Sequence, residues 1–213
     1  MHPNLSPKAL LAAYAIGVFP MADERGKVQW VTADPRAIID LDTCKVSRSL
    51  RAVTRRGVFE VTVNTAFDAV IDACADRSEG TWISDEIKRA YRRLHRIGFA
   101  HSVESRRDGQ LAGGLYGVTL GGAFFGESMF HWVSDGSKVA LVHLVQRMRQ
   151  RGFVLLDVQF LTEHLQRLGA VEIPAAEYQR RLQHALSLSC SFVDAQEQPV
   201  PQPPAGQDGT THV

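Results

Sequence analysis

Residues 100 to 130, AHSVESRRDGQLAGGLYGVTLGGAFFGESMF, constrain this chain more than any other stretch. Runs of strand-forming residues are separated by Asp108-Gly109 and by Gly121-Gly122. Turns of that chemistry join neighbouring antiparallel strands. A three-stranded meander is therefore predicted, and the rest of the chain must cover it. Before it, SDEIKRAYRRLHRIG reads as a helix with Ser84 as N-cap and Gly98 as its stop. Its apolar stripe is Ile87, Ala90, Tyr91, Leu94 and Ile97. After the meander, DGSKVALVHLVQRMRQRG reads as a long helix turning Leu141, Leu144, Val145 and Met148 inward. FVLLDVQF (153 to 160) is then a strand, followed by a helix between Thr162 and Gly169, a strand AVEIP and a helix AAEYQRRLQHAL. Upstream, a helix is expected from Pro7 to Ile16, strands over Ala37 to Asp42 and Phe59 to Asn64, and a helix over AFDAVIDACAD. The order predicts an α+β fold with a mixed, mostly antiparallel sheet.

The length of 213 residues, 45% of them apolar, suits one large domain with a small annex. We divide it into an N-terminal subdomain (1–35), a main domain (36–193) and a tail (194–213). The tail holds four of the nine prolines and almost nothing to bury, so disorder is expected there. A net charge of +1 means that any nucleic-acid surface must be local. The helix after Ser84 offers one: Lys88, Arg89, Arg92, Arg93 and Arg96 lie away from its apolar stripe, with only Asp85 and Glu86 at its start. A phosphate backbone suits that face, and a merely solvated face is the alternative. The three cysteines are scattered and the eight histidines lack ligand spacing, so neither a disulfide framework nor a metal site is expected. The apolar run KALLAAYAIGVFPMAD has a thin positive flank and is too short to span a bilayer. Cytoplasmic residence is the expectation.

Residues two apart in a strand share a face. Asp157 and Gln159 are thereby placed together, opposite Val154, Leu156, Val158 and Phe160. In GAFFGESMF the same alternation groups Glu127 with Ala123, Phe125 and Met129, and turns Ser128 the other way. A carboxylate in an apolar strand costs free energy unless it is paired or faces a pocket. A polar spot in an apolar cleft and a structural ion-pair network both fit this pattern. No nucleophile elbow is present, and no cysteine stands in an active-site-like setting.

The order of elements resembles that of the GNAT acyltransferase superfamily. The pyrophosphate loop R/Q-x-x-G-x-G/A is missing, and HWVSDGSK stands in its place, which argues against coenzyme A. A longer resemblance is carried by LLAAYAIGVFPM, WVTADPRAII, TWISDEIKRAYRRLHRIGFAHSVE, LAGGLYGVTLGGAFFGESMF, SKVALVHLV and LLDVQFLTEHLQRLGAVEIP, in that order. Over residues 8 to 187 the chain resembles the leucyl/phenylalanyl-tRNA–protein transferases. The resemblance implies transfer of Leu, Phe or Met from aminoacyl-tRNA to the N-terminal Arg or Lys of a protein, which creates a degradation signal, with no cofactor or metal. It implies Glu127, Asp157 and Gln159 as the polar active-site residues. It implies a donor side-chain pocket of Leu115, Met129, Leu141, Leu144, Met148 and Leu156, and Trp30, Trp82 and Tyr91 near the terminal adenosine. Three positions depart from the family pattern: Trp132 stands where an arginine is common, Val158 replaces a cysteine, and Ser105 follows Glu104 where the family has a tryptophan. The rival readings are a GNAT-like enzyme with another acyl donor, a non-catalytic tRNA-binding protein, and a transferase that attaches leucine to N-terminal Asp or Glu.

Overall fold

The computed structural model describes residues 4–78 and 80–194. The N-terminal helix α1 (Pro7–Tyr14) starts at Ser6, whose Oγ accepts from the Ala9 N–H at 3.3 Å, with proline in its first turn. A hairpin of β1 (Phe19–Ala22) and β2 (Val28–Val31) follows. Then come β3 (Arg36–Ile39), α2 (Arg48–Arg55), β4 (Glu60–Val63), α3 (Phe67–Ala75) and α4 (Asp85–Arg96). The meander is β5 (Ala100–Arg107), β6 (Gln110–Leu120) and β7 (Ala123–His131). The chain closes with α5 (Gly136–Gln150), β8 (Leu155–Gln159), α6 (Glu163–Arg167), β9 (Ala170–Ile173) and α7 (Ala175–Leu186). Neither α2 nor the β1–β2 hairpin was expected from the sequence. Of the proposed tail, Asp194 is described and pairs with Arg151 at 2.7 Å; residues 195–213 lie outside the described residues.

Seven strands form one sheet in the order β4-β5-β6-β7-β8-β3-β9. Every neighbouring pair is antiparallel except β7 and β8, which α5 connects as a parallel crossover. The fold is α+β with a mixed, mostly antiparallel sheet. One sheet face is covered by α1, α3, α4 and α7, burying Tyr14, Val70, Ile71, Ile87, Tyr91 and Leu94 against Tyr116, Val118 and Phe125. The other face is covered by α5, with Leu141, Leu144 and Met148 over Leu115, Phe124 and Leu156. Glycine is needed where α5 meets the sheet: a Cβ on Gly113 would lie 2.7 Å from the Gly136 carbonyl carbon.

The sheet opens between its parallel strands. β7 and β8 are paired only from Ala123–Leu155 to Phe125–Asp157, although β7 continues to His131 and β8 to Gln159. Beyond Phe125 the two strands no longer share a ladder. The edges that they present to one another there frame the candidate site.

Candidate active site

A cavity of about 500 Å³ occupies this opening. Leu115, Met129, Leu141, Leu144 and Leu156 line it from the α5 side. Met148 does not; it is fully buried in the same cluster, behind the lining. On the other side stand Phe19, Met21, Trp82 and Phe160, with Phe19 and Phe160 edge to face at 5.7 Å. Trp30 lies outside this lining, on β2 and 37% exposed. Tyr91 is fully buried in α4, so its ring has no open face on which an adenine could stack. Its hydroxyl serves Glu127 instead.

Glu127 is placed by a β-bulge. Gly117 pairs with Gly126 while Tyr116 pairs with Ser128, so Glu127 is the extra residue of β7. The bulge reverses the alternation after it: Met129 packs with Leu115 on the α5 side, while Glu127 faces α1 and α4. Sequence alternation had put Glu127 and Met129 on one face, and the bulge corrects that. Ser128, expected on the face opposite Glu127, pairs with buried Tyr116 and accepts from Arg77 at 3.0 Å. The Tyr14 hydroxyl donates to Glu127 Oε1 at 2.7 Å and the Tyr91 hydroxyl donates to Oε2 at 2.9 Å; the two hydroxyls also contact each other. Burial pushes the Glu127 carboxyl up from 4.5 to about 7; the tyrosine hydrogen bonds and Arg36 oppose that rise, and Asp157 adds to it. The same burial, with Glu127 beside them, holds Tyr14 and Tyr91 well above the ordinary phenol value.

Asp157 turns away from the cleft. Its side chain is fully buried and its oxygens are all engaged. Oδ1 accepts from Arg36 Nε and from the Gln159 backbone N–H, both at 2.9 Å; Oδ2 accepts from Arg36 Nη2 and the Tyr178 hydroxyl, both at 2.7 Å. Arg36 is itself fully buried, lies over the rings of Phe19 and Tyr178 at 4.6 Å each, and donates to the Gly17 carbonyl at 2.9 Å. This ion pair joins β3, β8, α7 and the turn after α1. Asp157 thus holds the Gln159 backbone, and no edge of its carboxylate is left for a substrate.

Gln159 does face the cleft, together with Leu156, Val158 and Phe160. Its φ of 59° breaks the strand alternation that would have kept it beside Asp157. The Asp157 bond to its N–H holds that left-handed turn in place. Gln159 is 6% exposed, and its Nε2 has no hydrogen-bond partner among the described residues. An amide sealed in an apolar cleft with an unused donor costs free energy unless a ligand supplies the acceptor.

The basic stripe on α4 is neutralised at two of its five positions, Lys88 and Arg92. Arg92 pairs with Asp68 and Asp72 of α3, and Lys88 with Asp72 and Asp85. Arg93 donates to the Leu5 carbonyl and Arg96 to that of Arg92, neutral acceptors that leave both charges in place, and Arg89 is exposed. By contrast, the unforeseen α2 carries Arg48, Arg51 and Arg55, with Arg56 just beyond, all exposed or half-buried and with no acidic partner among the described residues. Arg48, Arg51 and Arg55 line a groove between α2 and α5 with Val46, Val142 and Gln146. The signal for α2 was in the sequence: Ser47 as N-cap, Leu50 and Val53 inward, arginines outward.

The profile for leucyl/phenylalanyl-tRNA protein transferase matches residues 38–183, and that for the N-terminal domain of the same transferase matches residues 3–34. Three proteins named leucyl/phenylalanyl-tRNA–protein transferase show the likeness along nearly their whole length. The one from Rubrobacter xylanophilus is 58% identical over 190 residues, 89% of this chain and 99% of its own. That from Gloeobacter violaceus is 57% identical, covering 90% and 100%. That from Ruegeria pomeroyi is 52% identical, covering 92% and 93%. Among solved structures, L-PGS from Bacillus licheniformis aligns with a TM-score of 0.41 and 17% identity over 76% of this chain and 55% of its own, a likeness too slight to bear on the fold. The profile matches and the full-length identities agree: the chain belongs to the leucyl/phenylalanyl-tRNA–protein transferase family and is an aminoacyltransferase.

Proposed function

We propose that this enzyme transfers Leu, Phe or Met from aminoacyl-tRNA to the N-terminal Arg or Lys of a protein in the cytoplasm, forming a peptide bond that marks the product for degradation. The observation that carries this reading is Gln159: a buried amide in an apolar cleft, its donor unused among the described residues. The donor substrate is already an activated ester, so neither an enzyme nucleophile nor a coenzyme is needed. Its side chain fills the space among Leu115, Met129, Leu141, Leu144 and Leu156, and Trp82 receives the terminal adenosine. Gln159 Nε2 donates to the ester carbonyl oxygen, whose negative charge grows as the amine attacks. The acceptor's α-ammonium first gives one proton to Glu127, whose carboxyl ionises near neutrality. The neutral nitrogen then bonds to that carbon, the bond to the ribose oxygen breaks, and a second amine proton passes to the leaving ribose oxygen.

The rest of the molecule supports the reading in two ways. The parallel β7–α5–β8 crossover in an otherwise antiparallel sheet, with a cleft where the two strands part, suits a GNAT-like acyltransferase core. The N-terminal subdomain, divided from it after residue 35, supplies Tyr14 to Glu127 and Phe19 to the cleft. For the tRNA backbone, the arginines of α2 are the better candidates, with Arg89 of α4, on the other side of the sheet, as a further one. The test is transfer from charged leucyl-tRNA to peptides that begin with Arg or Lys, in the presence of EDTA. Label on both peptides is expected, and its absence would overturn the assignment.

A further inference from the structure

The connection between α3 and α4 places one permanent cation on the cleft, and no catalytic step above uses it. Arg77 lines the cavity together with Trp82, five residues further along the same connection. Its guanidinium is held by neutral acceptors: Nε donates to the Cys74 carbonyl at 3.2 Å, and Nη2 donates to Ser128 Oγ at 3.0 Å and to the Met129 carbonyl at 3.2 Å. Among the described residues, Nη1 makes no hydrogen bond and no carboxylate pairs with Arg77. Its orientation is therefore fixed while its charge remains unspent.

The other basic side chains along the cavity are His131 and His164. Burial, with Lys138, His131 and Arg167 nearby, lowers the His164 pKa, so that ring holds a proton less readily than a free imidazole, whereas the Arg77 guanidinium is charged at any working pH. An anion in this cleft thus finds its fixed positive partner at Arg77. The proposed acceptor is itself a cation, which Arg77 repels. The proposed donor carries a phosphodiester on the 5′ side of its terminal adenosine, close to any ring that Trp82 receives. A planar guanidinium with a free edge suits phosphate oxygens.

We propose that Arg77 is a positioning residue that grips the 3′-terminal phosphodiester of the aminoacyl-tRNA and so distinguishes a nucleotide donor from a bare aminoacyl nucleoside. The proposal rests on the transferase reading above. Two small donors test it, 3′-O-leucyladenosine and leucyl-CpA, which differ in the phosphodiester and the nucleoside it carries, with a peptide beginning with Arg as acceptor. In the wild type, KM for leucyl-CpA is expected to be the lower of the two. In Arg77→Ala that advantage shrinks roughly ten- to a hundredfold, the range for a hydrogen bond to a charged group. Arg77→Lys recovers part of it, and kcat changes little. Equal losses on both donors would show that Arg77 merely braces Ser128 and Met129, and would overturn the proposal. So would an unchanged ratio of KM values, or a wild type that uses both donors equally well. A wild type that transfers from neither small donor nor from charged leucyl-tRNA overturns the function itself, and this inference with it; one that transfers only from the full tRNA overturns the inference alone.

Discussion

Removing the charge at Asp157 leaves the Arg36 guanidinium buried without its counterion. Asp157→Asn should therefore destabilise the protein by about 3–5 kcal/mol, as breaking a buried ion pair does, and should cost activity through the released Gln159. Raising the pH should not restore that activity, because Asp157 is not the group that takes the proton. Gln159→Ala should behave in the opposite way. It removes an unsatisfied buried amide, so thermal unfolding should show no loss of stability, whereas transfer falls by about 10²–10³, the usual cost of one donor to a developing oxyanion. A Gln159→Ala protein that melts far lower, or transfers at the normal rate, contradicts the assignment. Glu127 adds a pH signature. Its folded pKa of about 7 lies above the unfolded 4.5, so between those values the unfolded chain releases a proton that the folded chain keeps. Stability contributed at low pH is therefore lost as pH rises through that window, and it levels off above about 7. Denaturant titrations should show this fall in the wild type and not in Glu127→Gln. In the same comparison, kcat/KM of the wild type should rise through pH 7 with a component that Glu127→Gln lacks.

Between elements, the two basic helices can be separated by salt. A cation that neutralises a phosphate releases a counterion, so deleting such a cation flattens the dependence of tRNA affinity on salt concentration. Changing Arg48, Arg51 and Arg55 to Ala should weaken tRNA binding and lower the slope of log K against log salt. Changing Lys88 and Arg92 should do so much less, because Asp68, Asp72 and Asp85 already neutralise them. Equal effects from the two sets would mean that α2 is a solvated face like any other. The proposed donor pocket lies between elements too, formed by β6, β7, β8 and α5. Leu156→Trp should fill it and suppress phenylalanine transfer more than leucine transfer. Where the sequence spoke through local chemistry it was legible: the meander turns, Ser84 and Thr162 as caps, and the stripe of α4 are seen in the structure, except that Ile97, read as part of the stripe, lies just past the helix and is 53% exposed. It was not legible where the decisive neighbour is distant in sequence. The acids that pair with Arg92 come from α3, and the bulge at Glu127 arises from pairing with β6, so strict alternation misplaced Met129.

For the molecule as one body, the cleft exists because a parallel pair of strands is embedded in an antiparallel sheet and parts after three residue pairs. The N-terminal segment is tied to that opening twice, by Arg36 bridging Gly17 and Asp157, and by Tyr14 on Glu127. Neither tie could be read from periodicity: Arg36 precedes an apolar strand as an ordinary flanking cation, and Tyr14 sits in what reads as a plain apolar helix. The residue types of the site were visible; the division of labour between Asp157 and Gln159 was not, because it depends on a single left-handed φ. Whether an apolar cleft with a free amide joins an activated amino acid to a cationic N-terminus is decided by one assay. Charged leucyl-, phenylalanyl- and valyl-tRNA are offered with peptides beginning with Arg, Lys, Asp or Glu, and the labelled products are counted. Label is expected from leucyl- and phenylalanyl-tRNA on the Arg and Lys peptides, with valyl-tRNA poorer by the ~1–3 kcal/mol that one methylene decides in such a pocket. Label confined to the Asp and Glu peptides, or indifferent to the donor side chain, would contradict that reading of the cleft.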